Sequence, residues 1–171
     1  SGGSGFGVMA ILVGVERGFL TRDQARTQIL RMTRFLQDTC TRYHGMWAHW
    51  INGETGQTIP FSPKDNGGDI VESSYLMQGL LCARQFFDDA TDPQETELRD
   101  RITQLWHDME WTWYLSEPEG GALYWHWSPE FGWEMNHLIR GFNECMITYL
   151  LATPDSRRFL PFRMGPRPGA I

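Results

Sequence analysis

Residues 44–69 read HGMWAHWINGETGQTIPFSPKDNGGD, and they separate two stretches with helical periodicity. Before them, Gly18 supplies a stop and Thr21 an N-cap, and Ile29, Met32, Phe35 and Leu36 recur at helical spacing towards Thr39. After them, Leu76, Met77, Leu80, Leu81 and Ala83 mark a helix from Ile70 to Phe87. A second aromatic stretch, YWHWSPEFGWEMNH at 124–137, has the same setting. It falls between a helix expected from Pro93 to Tyr114 (Leu98, Ile102, Leu105 and Met109 on one face) and one from His137 to Leu151. That last helix would carry Leu138, Ile139, Met146, Ile147 and Leu150. A first helix, Phe6 to Arg17, is apolar almost all round, as a buried helix is.

The remaining connections, 18–20 and 88–92, are short. In an antiparallel succession every second connection falls at the same end, so both long segments gather there with the glycine-rich start, Ser1 to Gly5. Loops of this length in a compact domain are usually functional. The reading is all-α: a partial (α/α) toroid of antiparallel helix pairs, with long aromatic loops at one end. The domain spans 1–152, and the tail 153–171, with its Arg and Pro and no helical period, is expected to be non-core.

The 171 residues suffice for one domain with a sizeable core, and 13% are aromatic, including eight Trp. A net charge of −6 with a single lysine, Lys64, argues against nucleic-acid binding. No apolar run is long enough to span a membrane, and no basic segment opens a signal peptide. Cys40, Cys82 and Cys145 have neither metal-site nor disulfide-framework spacing and read as buried free thiols. Asn66, Gly67 and Gly68 lie among acids, but the spacing is not that of an EF-hand, and neither metal nor cofactor is expected.

Flat aromatic faces beside fixed carboxylates suit holding a sugar ring and cleaving its glycosidic bond. Asp65, Asp69 and Glu72 converge on the start of the Ile70 helix. Asp69 also reads as the cap of that helix, with Glu72 folding back in a capping box, so both roles stay open. Glu144 is expected inside an apolar helix, where desolvation favours the protonated form that a general acid needs; a salt bridge to Arg140 is the bland alternative. Asn136 would cap that helix, with Glu134 just before it. Trp47, Trp50, Trp125, Trp127 and Trp133 are candidate stacking faces, and His49, His126 and His137 candidate partners of sugar hydroxyls.

At these residues the chain resembles the glycoamylase-like domain, a family that includes bacterial endo-β-1,2-glucanases and a domain of cyclic β-1,2-glucan synthases. The match runs over about residues 2–152, through GGSGFGVMAILVGVERGFLTR (2–22), the GGDIVE segment (67–72) and the NEC segment (143–145). The resemblance implies an (α/α)6 barrel acting on β-glucan, most readily β-1,2-glucan, in a periplasmic or extracellular setting. It implicates Asp69, Glu72 and Glu144 in catalysis with Asp65 in support. Family domains are longer than this chain, which therefore looks like a fragment whose open helix faces would self-associate. The expectations are a glycoside hydrolase domain using a carboxylate pair, Glu144 as acid and Glu72 opposite, or else a catalytically inactive carbohydrate-binding remnant or a non-functional piece.

Overall fold

The computed structural model describes residues 1–117 and 121–153. It is rich in helix, with a few very short strands. The elements run α1 (Gly2–Glu16), α2 (Arg22–Asp38), β1 (Trp50–Ile51), β2 (Thr58–Ile59), β3 (Gly68–Asp69), α3 (Ile70–Phe86), α4 (Pro93–His107), a 3-10 turn (Trp111–Tyr114), β4 (His126–Trp127) and α5 (Met146–Ala152). Beyond Thr153, the expected tail lies outside the described residues.

Helix α3 is the centre. Ile70, Val71, Leu76, Met77, Gly79, Leu80 and Ala83 are buried, and α1, α4 and α5 all pack on it. Helix α1 begins four residues earlier than its sequence suggests, because its glycines do not form a loop. A Cβ on Gly5 would lie 2.1 Å from the Tyr75 carbonyl oxygen, and one on Gly79 would lie 2.3 Å from that of Gly5. The two backbones therefore touch, and that packing offsets the entropy glycine loses in a helix.

Helix α2 starts with the expected cap at Thr21. The Thr21 hydroxyl accepts from the Gln24 N–H (3.2 Å) and the Gln24 side chain from the Thr21 N–H (2.9 Å). It lies against α4 through charged pairs: Arg22 grips Glu95 with two N–H groups at 2.6 and 2.8 Å, and Arg34 grips Glu97 at 2.8 and 2.5 Å. Helix α4 has Asp92 as N-cap and Pro93 in its first turn. It stops at His107 rather than Tyr114. Arg42 donates to the Leu105 carbonyl (3.0 Å) and the Gly45 carbonyl (2.6 Å), which draws the residue 42–45 turn over the end of the helix. Gly45, at φ +81°, leaves no room there for a side chain beside the Asp108 carbonyl.

The helix expected from His137 is the largest misreading: only Met146–Ala152 is helical. The Trp125 N–H donates to the His137 carbonyl (2.8 Å) and the Ile139 N–H to the Leu123 carbonyl (2.8 Å). Residues 137–139 are thus held extended against 123–125, and Gly141 then turns the chain at φ +82°.

The two aromatic segments meet. Strand β3, which ends the first, pairs antiparallel with β4 in the second, Gly68 opposite Trp127 and Asp69 opposite His126. The Asp69 N–H also reaches the Trp47 carbonyl (2.9 Å). No described helix is long and apolar enough to cross a membrane.

Candidate functional site

The pairing of β3 with β4 sets Asp69 at the point where both segments meet the first turn of α3. Asp69 is fully buried. Its Oδ1 accepts from the Val71 and Glu72 N–H groups at 3.0 and 2.9 Å, so it is the helix cap. Its Oδ2 accepts from the Trp125 indole N–H (3.2 Å) and lies 3.0 Å from His49 Nδ1. Four donors occupy the four acceptor positions of one carboxylate. That arrangement puts the His49 proton on Nδ1, and the Asp69 hydrogen bond holds the imidazolium form of His49 above its ordinary pKa.

Asp65 reaches the same place through a tight turn. The Phe61 N–H donates to the Asp65 carbonyl (2.9 Å) and the Asp65 N–H to that of Ser62 (3.0 Å). The Asp65 carboxyl, 11% exposed, has Oδ1 3.2 Å from Nε2 of His126, whose side chain is 2% exposed. The Gly67 N–H points at that same Nε2 at 3.3 Å. Burial pushes the Asp65 carboxyl up from its ordinary range and the His126 imidazole down. Both shifts favour a neutral pair. His126 is therefore a buried partner of Asp65 rather than a free surface group.

Glu72 stands one turn along α3, its side chain 22% exposed. The N–H of Gly2, in the first turn of α1, donates to its Oε2 at 2.8 Å. A Cβ at Gly2 would lie 2.5 Å from that oxygen, so a glycine is required for the contact. The first amide of α1 thus holds a carboxylate, as helix N-termini do.

Glu144 is not where its sequence suggests. It is exposed, in the irregular stretch before α5, so the desolvation expected of it is absent. No ion pair with Arg140 forms among the described residues. The segment is tied to α3 instead, by the Tyr75 hydroxyl donating to the Glu144 carbonyl (2.8 Å).

The aromatic candidates divide by burial. Trp47 is fully buried, its indole N–H on the Leu36 carbonyl (3.3 Å) and the Arg42 guanidinium over its ring, so it is a core residue with no face to offer a ligand. Trp125 is fixed by Asp69 and stacks on the exposed His137 at 4.9 Å. Trp127 and Trp133 are half-buried in a cluster with Trp113, Tyr124 and His44. Glu134 is exposed and paired with Lys64. Asn136, also exposed, has φ +46° and caps no helix. Trp50 is half exposed.

Three contributors went unnoticed in the sequence. Phe61 is 49% exposed and stacks on His49 at 4.1 Å; its signal was an aromatic residue inside a proline-rich turn. Gly2 and Tyr75 gave no signal, because neither a helix-starting glycine nor a tyrosine on an apolar helix announces a polar contact. Beside His49 and Trp50, Met32, Phe35, Leu36 and Leu76 border an open cleft of about 400 Å³.

His49, Asp65 and Asp69 each bring a ligand-type atom within 4.8 Å of the others. Of the three, His49 and Asp69 are hydrogen-bonded to each other, while the Asp65 carboxyl faces His126.

No family model matches the chain. It is 50% identical over 153 residues to the exo β-1,2-glucooligosaccharide sophorohydrolase (non-reducing end) of Parabacteroides distasonis, covering 89% of this chain and 21% of that protein. Among solved structures, the endo-β-1,2-glucanase of Chitinophaga pinensis, in complex with sophorotriose and glucose, superimposes with TM-score 0.86 at 49% identity. That match covers 94% of this chain and 37% of the glucanase. The β-1,2-glucanase of Parabacteroides distasonis superimposes with TM-score 0.87 at 47% identity, covering 93% and 23%. The chain thus spans about a fifth of the curated relative and under two-fifths of these structures. The relatives are β-1,2-glucan hydrolases, the group to which the sequence motifs pointed.

Proposed function

We propose that this chain carries part of the active site of a β-1,2-glucan hydrolase, within an (α/α)6 barrel whose aromatic loops gather at one end. The observation that carries the proposal is the group of Asp65, Asp69, Glu72 and His49 at the start of α3, bordered by exposed aromatic rings. The relatives' activity on β-1,2-glucan supplies the substrate class.

The carboxyls divide by environment. Glu72, facing an amide N–H and partly exposed, is the carboxylate that acts at the anomeric carbon, by activating water or by direct attack. The proton donor must be a carboxyl kept protonated near neutral pH. Asp65 has the burial for that role, beside a His126 whose charged form burial also disfavours. Exposed Glu144 has no such environment, and it serves in this reading as the acid only if substrate covers it. Asp69 is a positioning residue, with every acceptor position engaged. Trp50, Trp125 and His137 border the substrate, with Trp127, Trp133, Glu134 and Asn136 further along the second segment.

The test is reducing-end release from linear β-1,2-glucan, beside β-1,3- and β-1,4-glucans. Release from the β-1,2 polymer alone is expected, with Glu72→Gln and Asp65→Asn each lowering turnover by about 10²–10⁴-fold. Binding of the polymer without release by the unaltered protein would replace hydrolysis by carbohydrate binding. Wild-type turnover in both variants would remove these residues from the chemistry.

A further inference from the structure

Phe61 and Trp50 are two large apolar rings, 49% and 50% exposed, Trp50 in β1 and Phe61 just beyond β2. They meet at 5.0 Å with their planes at 73°, forming an open corner. One ring of the corner is backed: Phe61 lies on His49 at 4.1 Å and 25°, and His49 is locked by buried Asp69. The Phe61 main chain is locked as well, through its N–H to the Asp65 carbonyl. A half-exposed ring this firmly held is a prepared surface, since little side-chain freedom is left to lose on binding. The other exposed cluster differs. Trp113, 42% exposed, has a face covered by His44 at 3.7 Å, and its neighbours Trp127 and Trp133 are half-buried.

We propose that the Phe61–Trp50 corner is a glucosyl subsite. The apolar C–H face of one β-linked glucose unit stacks on Phe61, and Trp50 closes that unit's edge. The turn that carries Phe61 carries Asp65 four residues on, so a unit seated on Phe61 is delivered next to the proposed proton donor. The two rings supply affinity for a pyranose ring and leave linkage selection to the polar groups beside them, His49 and those around Asp69 and Glu72. This assignment rests on the β-glucan reading above and adds to it a residue and a position.

The experiment is a titration of the intact protein with sophorotriose, followed by tryptophan fluorescence and by calorimetry, with laminaritriose as a second probe. Phe61→Ala is expected to weaken sophorotriose binding about tenfold, the equivalent of one lost stacking contact. Phe61→Tyr, which keeps the stack on His49, is expected to restore it. Trp50→Ala tests the other wall independently and is expected to weaken binding by a similar factor. Both rings are half exposed, so melting temperatures should stay close to that of the parent. Unchanged affinity in Phe61→Ala and Trp50→Ala, with the parent binding normally, would overturn the subsite and leave the glucan reading in place. Failure of the parent to bind either trisaccharide would overturn the glucan reading and the subsite with it.

Discussion

At the scale of single residues, the site depends on atoms that are missing. Gly2 lets an amide of α1 reach Glu72, and Gly5 and Gly79 let α1 and α3 touch. The two kinds of contact should respond differently to a methyl group. At Gly5 the added Cβ meets backbone at 2.1 Å, so Gly5→Ala should lower stability by about 1–3 kcal/mol, read as a fall in melting temperature. At Gly2 it meets the end of a flexible side chain at 2.5 Å. Gly2→Ala should therefore melt close to the parent while lowering turnover on β-1,2-glucan, as Glu72 is pushed from its place. These glycines were unreadable in the sequence because a glycine-rich start looks the same whether it forms a loop or a close helix crossing. Asp69 was half readable. Its cap geometry follows from local spacing, whereas its bonds to His49 and Trp125 come from residues 20 and 56 positions away.

At the scale of elements, the helices with strong local signals were legible. Helix α3 begins at Ile70 because Asp69 caps it, and α2 at Arg22 because Thr21 does. Helix α5 was not, since hydrogen bonds to residues 123–125 compete with helix formation in 137–139, and no local pattern shows such a competitor. That error also put Glu144 in a buried helix, whereas it is exposed in the irregular stretch before α5. The α2–α4 contact permits a pH test. Arg34 foremost, and Arg101, hold Glu97 at about 2, below its ordinary 4.5. A depressed carboxylate stabilises fully above its unfolded value and stops doing so as pH falls through its folded one. The stability gap between the parent and Glu97→Gln should therefore be constant above about pH 5.5 and close towards pH 2, read from urea unfolding. With Glu97 about a third exposed, the gap should be about 1 kcal/mol or less.

At the scale of the whole molecule, the succession of helix, short link, helix and long aromatic segment was legible, because amphipathic period and segment length are local quantities. Which aromatic faces stay open was not, because burial is decided by all neighbours together: Trp47 and Trp50 are three residues apart, one fully buried and the other half exposed. The thiols report on the same global packing. Burial pushes Cys40 and Cys145 up to about 11, while Cys82 is only partly covered. A thiol reagent at pH 8 should label Cys82 first, and Cys40 and Cys145 at a rate that rises with urea in step with unfolding.

The two-residue ladder between β3 and β4 joins parts of the chain 57 and 59 positions apart. A ladder so short cannot hold closed a loop so long until α3 and α4 have docked and brought its strands together. In refolding from urea, helical circular dichroism should therefore rise before the near-ultraviolet signal of Trp125 and Trp127. His126 and Trp125 would then reach Asp65 and Asp69 only in the closing step of folding, and a variant that slows that step would delay the appearance of ligand binding without delaying the helices.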